Sequence, residues 1–163
     1  LLKIKNEKIF QKLTNSNIKV SVARCFTFVG KHLPLDSNYV VGNFIKSIIY
    51  KKPIEVKSKI KVIRTYMHAD DLAECLIKLM FNNSTNFETY NIGSDNIIDI
   101  HILAKKLSKK YSIKNIIKKN INDIGYDRYV PSINKFRKKF KFTKKINSYS
   151  AILKTVKELK QNI

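Results

Sequence analysis

Residues 64–73 read Arg64-Thr65-Tyr66-Met67-His68-Ala69-Asp70-Asp71-Leu72-Ala73. The stretch passes from a strand pattern to a helix pattern with almost no spacer. Ile60–Tyr66 is a short strand candidate, and Ala69 or Asp70 opens a helix running to about Phe81. Leu72, Cys75, Leu76, Leu79 and Met80 recur at helical spacing and are expected to face a core. Asp in a first turn caps free N–H groups and suits the positive end of the helix dipole. Asp71 is therefore read as structural. His68, at the strand end, is read as structural or cleft-lining rather than as a base.

Working outward, residues 2–14 have a helical stripe of Ile9, Phe10 and Leu13, which Asn15-Ser16-Asn17 stops. Ile18–Arg24 is rich in β-branched residues and reads as a strand. Gly30–Asp36 is a loop containing Pro34, and Gly30 is expected to supply its bend. Residues 37–50 read as a helix with Ser37 as N-cap, and Pro53 marks the break before a strand at Ile54–Val56. Asn82 to Asn86 is a loop, Tyr90–Ile92 a strand ending at Gly93, and Ile100–Tyr111 a helix capped by Asp99. Residues 113–119 read as a strand, and 133–140 and 148–161 as closing helices.

At 163 residues and 44% hydrophobic content, one globular domain is expected, not a disordered segment. No apolar run approaches the ~20 residues of a membrane-spanning helix. Cys25 and Cys75 sit in apolar surroundings and read as buried reduced thiols, which fits a cytoplasmic location. Three His and two Cys show no metal-ligand spacing, so no metal is expected. The net charge is +21, concentrated in residues 101–163, which hold 18 basic and 3 acidic side chains. Such asymmetry can mark a basic module that binds nucleic acid or another polyanion without enzymatic activity. That is the alternative reading. Against it, only four of the basic residues are Arg, the residue suited to forked phosphate contacts, and the Lys enrichment reads as a solvated face.

Four islands carry more. They are Ala23-Arg24-Cys25-Phe26-Thr27-Phe28-Val29-Gly30, Gly42-Asn43-Phe44-Ile45, the stretch from Arg64 to Ala73, and Tyr90-Asn91-Ile92-Gly93. In this order and spacing they resemble the carboxy-terminal half of an extended short-chain dehydrogenase/reductase, of the NAD-dependent epimerase/dehydratase kind that acts on nucleotide sugars. The resemblance implies an α/β chain forming the carboxy-terminal part of a Rossmann-type fold, with the last sheet strands and a small α/β substrate-binding domain. Residues 1–163 would be a single partial domain. Residues 1–30 would be the end of the active-site helix and the following sheet strand, and 31–163 mainly the substrate-binding region, with 89–93 returning to the sheet. NAD or NADP would be bound mainly by an amino-terminal half not contained in these residues. The fragment alone is expected to be inactive.

The resemblance also assigns residues. Lys3 matches the Lys of a Tyr-x-x-x-Lys pair whose Tyr would lie two residues before Leu1. It would be catalytic, lowering the Tyr pKa, and would hold the nicotinamide ribose. Glu7 and Arg24 fit the family's usual offsets from that Lys. Cys25 would line the cofactor, where the family often has Pro, and Thr27 the substrate, where it often has Asn. Asn43 would line the nucleotide pocket. Arg64 would bind the diphosphate with a planar fork, and Arg128 would reach back to the same phosphates. Lys57-Ser58-Lys59 stands where the family has a glycine-containing hairpin turn. Lys135 to Phe142 fits a short late helix. The implied partners are a nucleoside-diphosphate sugar and, for the full-length protein, a second copy in a homodimer. Neither a membrane nor a nucleic acid is expected.

Overall fold

The computed structural model describes residues 2–15, 17–35, 39–81, 86–117, 125–143 and 145–161. In chain order these form α1 (Leu2–Lys12), β1 (Val20–Cys25), β2 (Phe28–Val29), α2 (Val40–Ile49), β3 (Ile54–Val56), β4 (Lys61–Thr65) and β5 (Met67–His68). They continue with α3 (Ala69–Phe81), β6 (Phe87–Ile92), β7 (Ile97–Asp99), α4 (Ile100–Tyr111), β8 (Asn115–Ile117), β9 (Tyr126–Tyr129), α5 (Asn134–Phe140) and α6 (Ser148–Lys160).

Strand pairing is mostly parallel. β1 runs beside β6 from Val20 opposite Phe87 to Cys25 opposite Ile92. A parallel pair needs a long crossover, and the chain between Phe26 and Asn86 supplies it. Within that crossover β2 pairs with β5, setting Val29 opposite His68. β3 pairs with β8, and β4 lies between antiparallel β7 and parallel β9. β3 and β4 therefore belong to different sheets, and residues 57–59 do not form a hairpin between them. Ser58 closes its own turn, its Oγ donating to the Ile60 carbonyl at 3.0 Å. The Ser58 carbonyl lies 3.2 Å from His101 Nε2, which holds the turn to α4.

Two cores result. One packs Phe44, Ile45 and Ile48 of α2 on β3, α4 and α6, through Ile54, Leu103, Leu107 and Ile152. The other packs Cys75 and Leu79 of α3 on Tyr90 and Ile92 of β6, with Phe136 and Phe142. Tyr90 meets Phe136 and Phe140 edge-on at 5.9 and 5.3 Å, an arrangement aromatic quadrupoles favour. The Asp99 carboxylate caps α4, accepting from the N–H groups of His101 and Ile102 at 2.8 and 3.3 Å. Asn147 caps α6 in the same way.

Gly30 adopts no positive φ. Its requirement is a close approach: a Cβ there would lie 2.6 Å from the Ala69 Cβ, so β2 can touch the start of α3 only with a bare backbone. Gly93 does the same between Phe26 and Pro131, each 3.0 Å from a Cβ added there.

Some expectations are corrected. Leu76 and Met80 are 41% and 67% exposed rather than in the core, while Asp71 is buried. The cause lies in β1, which pairs only with β6. Its other edge has no strand partner among the described residues, and α3 turns Leu76 and Met80 toward a groove they share with Lys19, Ser21 and Ala23. α1 likewise buries none of its residues, and Ile9, Phe10 and Leu13 stay exposed. Cys25, expected to be buried, is exposed where cover of β1 runs out at its last two residues, whereas Cys75 is buried. The α2 N-cap is Tyr39, and Ser37 lies outside the described residues. Of the strand expected at 113–119, Asn115–Ile117 forms β8, and 118–119 lie outside the described residues. No helix among the described residues is long and apolar enough to cross a membrane.

Candidate functional site

Four of the six residues singled out from the sequence, Lys3, Cys25, Thr27 and Arg64, lie along one connected path. Lys3 is exposed on the first turn of α1. One turn later the Glu7 carboxylate takes a two-pronged contact from Arg24 at the end of β1, Nε to Oε1 at 2.8 Å and Nη2 to Oε2 at 2.6 Å. The Arg24 hydrogen bond holds the Glu7 carboxyl below its ordinary range, and Glu7 in turn raises the Arg24 pKa. Cys25 follows directly, its thiol pushed above its ordinary value by partial desolvation.

Phe26 then stacks on Tyr129 of β9, centroids 4.8 Å apart. The backbone carbonyl of Thr27 accepts from the Met67 N–H at 3.1 Å, so this loop is tied to β5. In the β4–β9 ladder Tyr129 stands opposite Arg64. The aromatic pair therefore joins the Cys25–Thr27 loop to Arg64.

Arg64 is held by the neighbouring strand. Its Nη1 donates to the carbonyls of Ile63 and Asp127 at 2.9 and 3.1 Å, and Nη2 donates to Asp127 Oδ2 at 2.5 Å. The Arg64 hydrogen bond keeps the Asp127 carboxyl below its ordinary value. Among the described residues no acceptor meets Arg64 Nε. Nε is thus the guanidinium nitrogen left open. Arg128 lies opposite Ile63, one register step away, and strand alternation turns it to the other face of the ladder from Arg64. Asn43 is exposed on α2, and no hydrogen bond, ion pair or ring contact joins it to the other five among the described residues.

Sequence reasoning missed the roles of Asp127 and Tyr129. Both are visible as residues beside Arg128, but Asp127 meets Arg64 across 63 positions and Tyr129 meets Phe26 from farther still, which no local pattern encodes.

His68 and Asp71 fasten the frame of the site. His68 is buried. Its Nδ1 accepts from the Asp70 N–H at 3.2 Å, leaving Nε2 to donate to Glu158 at 3.3 Å. Asp70 and Glu158 with His68 bring three possible metal ligands within 4.8 Å of one another, a grouping sequence spacing does not reveal. The Lys154 ammonium bonds Asp70 and lies 3.7 Å from Glu158, so a protein cation already stands against both carboxylates. That hydrogen bond from Lys154 holds Asp70 below its ordinary value. Asp71 ties α3 to the chain before α6, accepting from the Lys145 N–H at 3.4 Å.

Residues 1–93 match the NAD dependent epimerase/dehydratase family. The chain belongs to this family. UDP-glucuronic acid decarboxylase 1 of Arabidopsis thaliana is 27% identical over 149 residues, covering 91% of this chain and 34% of the relative. The fold is similar to that of UDP-glucose 4-epimerase from Thermotoga maritima, solved with UDP-glucose, with a TM-score of 0.81 at 18% identity. That likeness covers 98% of this chain and 52% of the other. It is also similar to dTDP-glucose 4,6-dehydratase from Bacillus anthracis in complex with NAD, with a TM-score of 0.70 at 17% identity. There it covers 88% of this chain and 45% of the other. The chain thus has the α/β fold of the carboxy-terminal part of an extended short-chain dehydrogenase/reductase. It spans about a third of the length of the curated relatives.

Proposed function

We propose that this chain is the substrate side of an NAD(P)-dependent enzyme that acts on a nucleoside-diphosphate sugar. The observation that carries the reading is Arg64: a guanidinium fixed by β9, with Nε open, beside the Phe26–Tyr129 pair. A planar fork held in place suits two phosphate oxygens. Arg128 is assigned a share of the positive field at the rim. Thr27 is proposed to give one hydroxyl hydrogen bond to the sugar. Asn43, placed away from the path, is proposed only for the nucleoside end.

NAD or NADP, when bound, supplies the hydride acceptor and donor for such chemistry. The groups that would meet it here are Lys3 and Cys25, both exposed along the same path, which fits a ribose and a nicotinamide face. The four glycines, at 30, 42, 93 and 125, form no Gly-x-x-Gly-x-x-Gly loop, so the cofactor's own phosphates would be held by other residues. Lys3 would hold the ribose hydroxyls and lower the pKa of a neighbouring Tyr, which then exchanges a proton with the sugar hydroxyl. The full-length protein is proposed to be a homodimer.

The test is titration of UDP-glucose and UDP-glucuronic acid into the protein and its Arg64→Ala variant. Loss of a charge-assisted pair costs about 1.5–3 kcal/mol, so Kd should rise at least tenfold for both sugars. Equal affinity in the two proteins would remove Arg64, and with it this reading, from consideration.

A further inference from the structure

Arg64 does not wait for an anion unaccompanied. Asp127 reaches it twice, through its carboxylate to Nη2 at 2.5 Å and through its own carbonyl to Nη1 at 3.1 Å. We infer that Asp127 is a built-in counter-ion that competes with the phosphates of the ligand for Arg64 and so sets how tightly, and with how much charge, a ligand must bind. The inference rests on the reading of Arg64 given above.

Three observations carry it. The first is geometric. Both forks of a guanidinium, Nη1 with Nη2 and Nε with Nη2, include the nitrogen that Asp127 already holds. Any diphosphate gripped by a fork therefore brings its oxygens against the Asp127 carboxylate, and like charges in contact repel. The second is the backbone. The contact from Nη1 to the Asp127 and Ile63 carbonyls holds the guanidinium in place without the carboxylate, so Arg64 stays positioned when the side chain of Asp127 leaves. The third is exposure. The Asp127 side chain is 51% exposed against 24% for Arg64. The carboxylate can rotate into water with its charge still hydrated, and an exposed ion pair gives it little reason to stay. A ligand with one weak charge gains little by displacing it. A diphosphate, with several oxygens to share between the fork and solvent, gains more.

The probe is inorganic pyrophosphate, titrated calorimetrically into the protein, Asp127→Asn, Arg64→Ala and the double variant, with thermal denaturation confirming that each is folded. Asn keeps the shape and one acceptor of Asp127, removes its charge and puts an N–H donor in place of the second oxygen. The expected result is a Kd about fivefold lower for Asp127→Asn, the most an exposed pair is worth. The same substitution in the Arg64→Ala background should change Kd by less than about twofold, since the competition has lost its object. If Arg64→Ala weakens binding but Asp127→Asn leaves it equal or weaker, the counter-ion role is overturned and the anion site stands. If Arg64→Ala changes nothing, the phosphate reading falls and the inference falls with it.

Discussion

The Arg24 guanidinium grips the Glu7 carboxylate through two nitrogens, 2.8 and 2.6 Å away, and these contacts fasten α1 to the end of β1. The helix buries none of its own residues. This ion pair is therefore a principal tie between the helix that carries Lys3 and the strand that carries Cys25. The pairing also has a pH signature. The Glu7 carboxyl is depressed from its ordinary 4.5. A depressed acid contributes stability that is full above its unfolded pKa and is lost as pH falls through its folded pKa. Thermal denaturation of Glu7→Gln against the parent should show a constant deficit at neutral pH that shrinks only below about pH 4.5. A deficit independent of pH down to acid unfolding would mean that the charge of Glu7 is not what matters.

Gly30 faces Ala69 with no room for a methyl group. Gly30→Ala should destabilise the fold by about 1–3 kcal/mol, the usual cost of overpacking. The double variant Gly30→Ala with Ala69→Gly should recover most of that loss, less about 1 kcal/mol for glycine in the first turn of a helix. Urea denaturation of the parent and these two variants measures this. A double variant no better than Gly30→Ala alone would show that the contact between these two residues is not the cause.

The two thiols should behave differently. Cys75 is buried and its thiol is pushed up to about 12, chiefly by desolvation. Cys25 is exposed. A disulfide reagent near pH 8 should label one thiol in the folded protein, and Cys25→Ser should abolish that phase. Cys75 should react only on unfolding, because the thiolate is the reactive form. In the full-length enzyme, NAD at saturating concentration should slow the labelling of Cys25. An unchanged rate would remove Cys25 from the cofactor site.

Lys3 is assigned a role in proton and hydride transfer. In the full-length enzyme Lys3→Ala should lower kcat by about 10²–10⁴-fold, the range typical of acid–base assistance. Because Lys3 is exposed, the melting temperature should hold. Absorbance of reduced nicotinamide in single turnovers reads the step directly. A variant that keeps its rate would make Lys3 an ordinary surface lysine.

Much of this was legible in the chain itself. The α3 helix begins and ends as its periodicity and first-turn aspartates require, and α4 starts at the Asp99 cap. Those elements rest on contacts within a few residues, which a local pattern records. The short strands β2, β5, β7 and β9 were not anticipated. Two to four residues carry too little periodicity, and each exists because a distant strand completes its hydrogen bonds. Gly30 shows the same limit. A bend was the natural local reading, yet its neighbour Ala69 lies 39 positions on, and only the packed chain reveals the collision.

The sequence by itself determined the family, through islands whose residue types and order resemble it, and it picked out Lys3, Cys25, Thr27 and Arg64. The tertiary structure decided how they stand to one another. It joined Lys3 to Cys25 through Glu7 and Arg24, and the Cys25 loop to Arg64 through Phe26 and Tyr129. It turned Arg128 to the other face of the ladder and set Asp127 on Arg64. These relationships follow from strand register. Register is fixed by hydrogen bonds between segments far apart in the chain, and a shift of one residue would exchange every side chain between the two faces of the sheet.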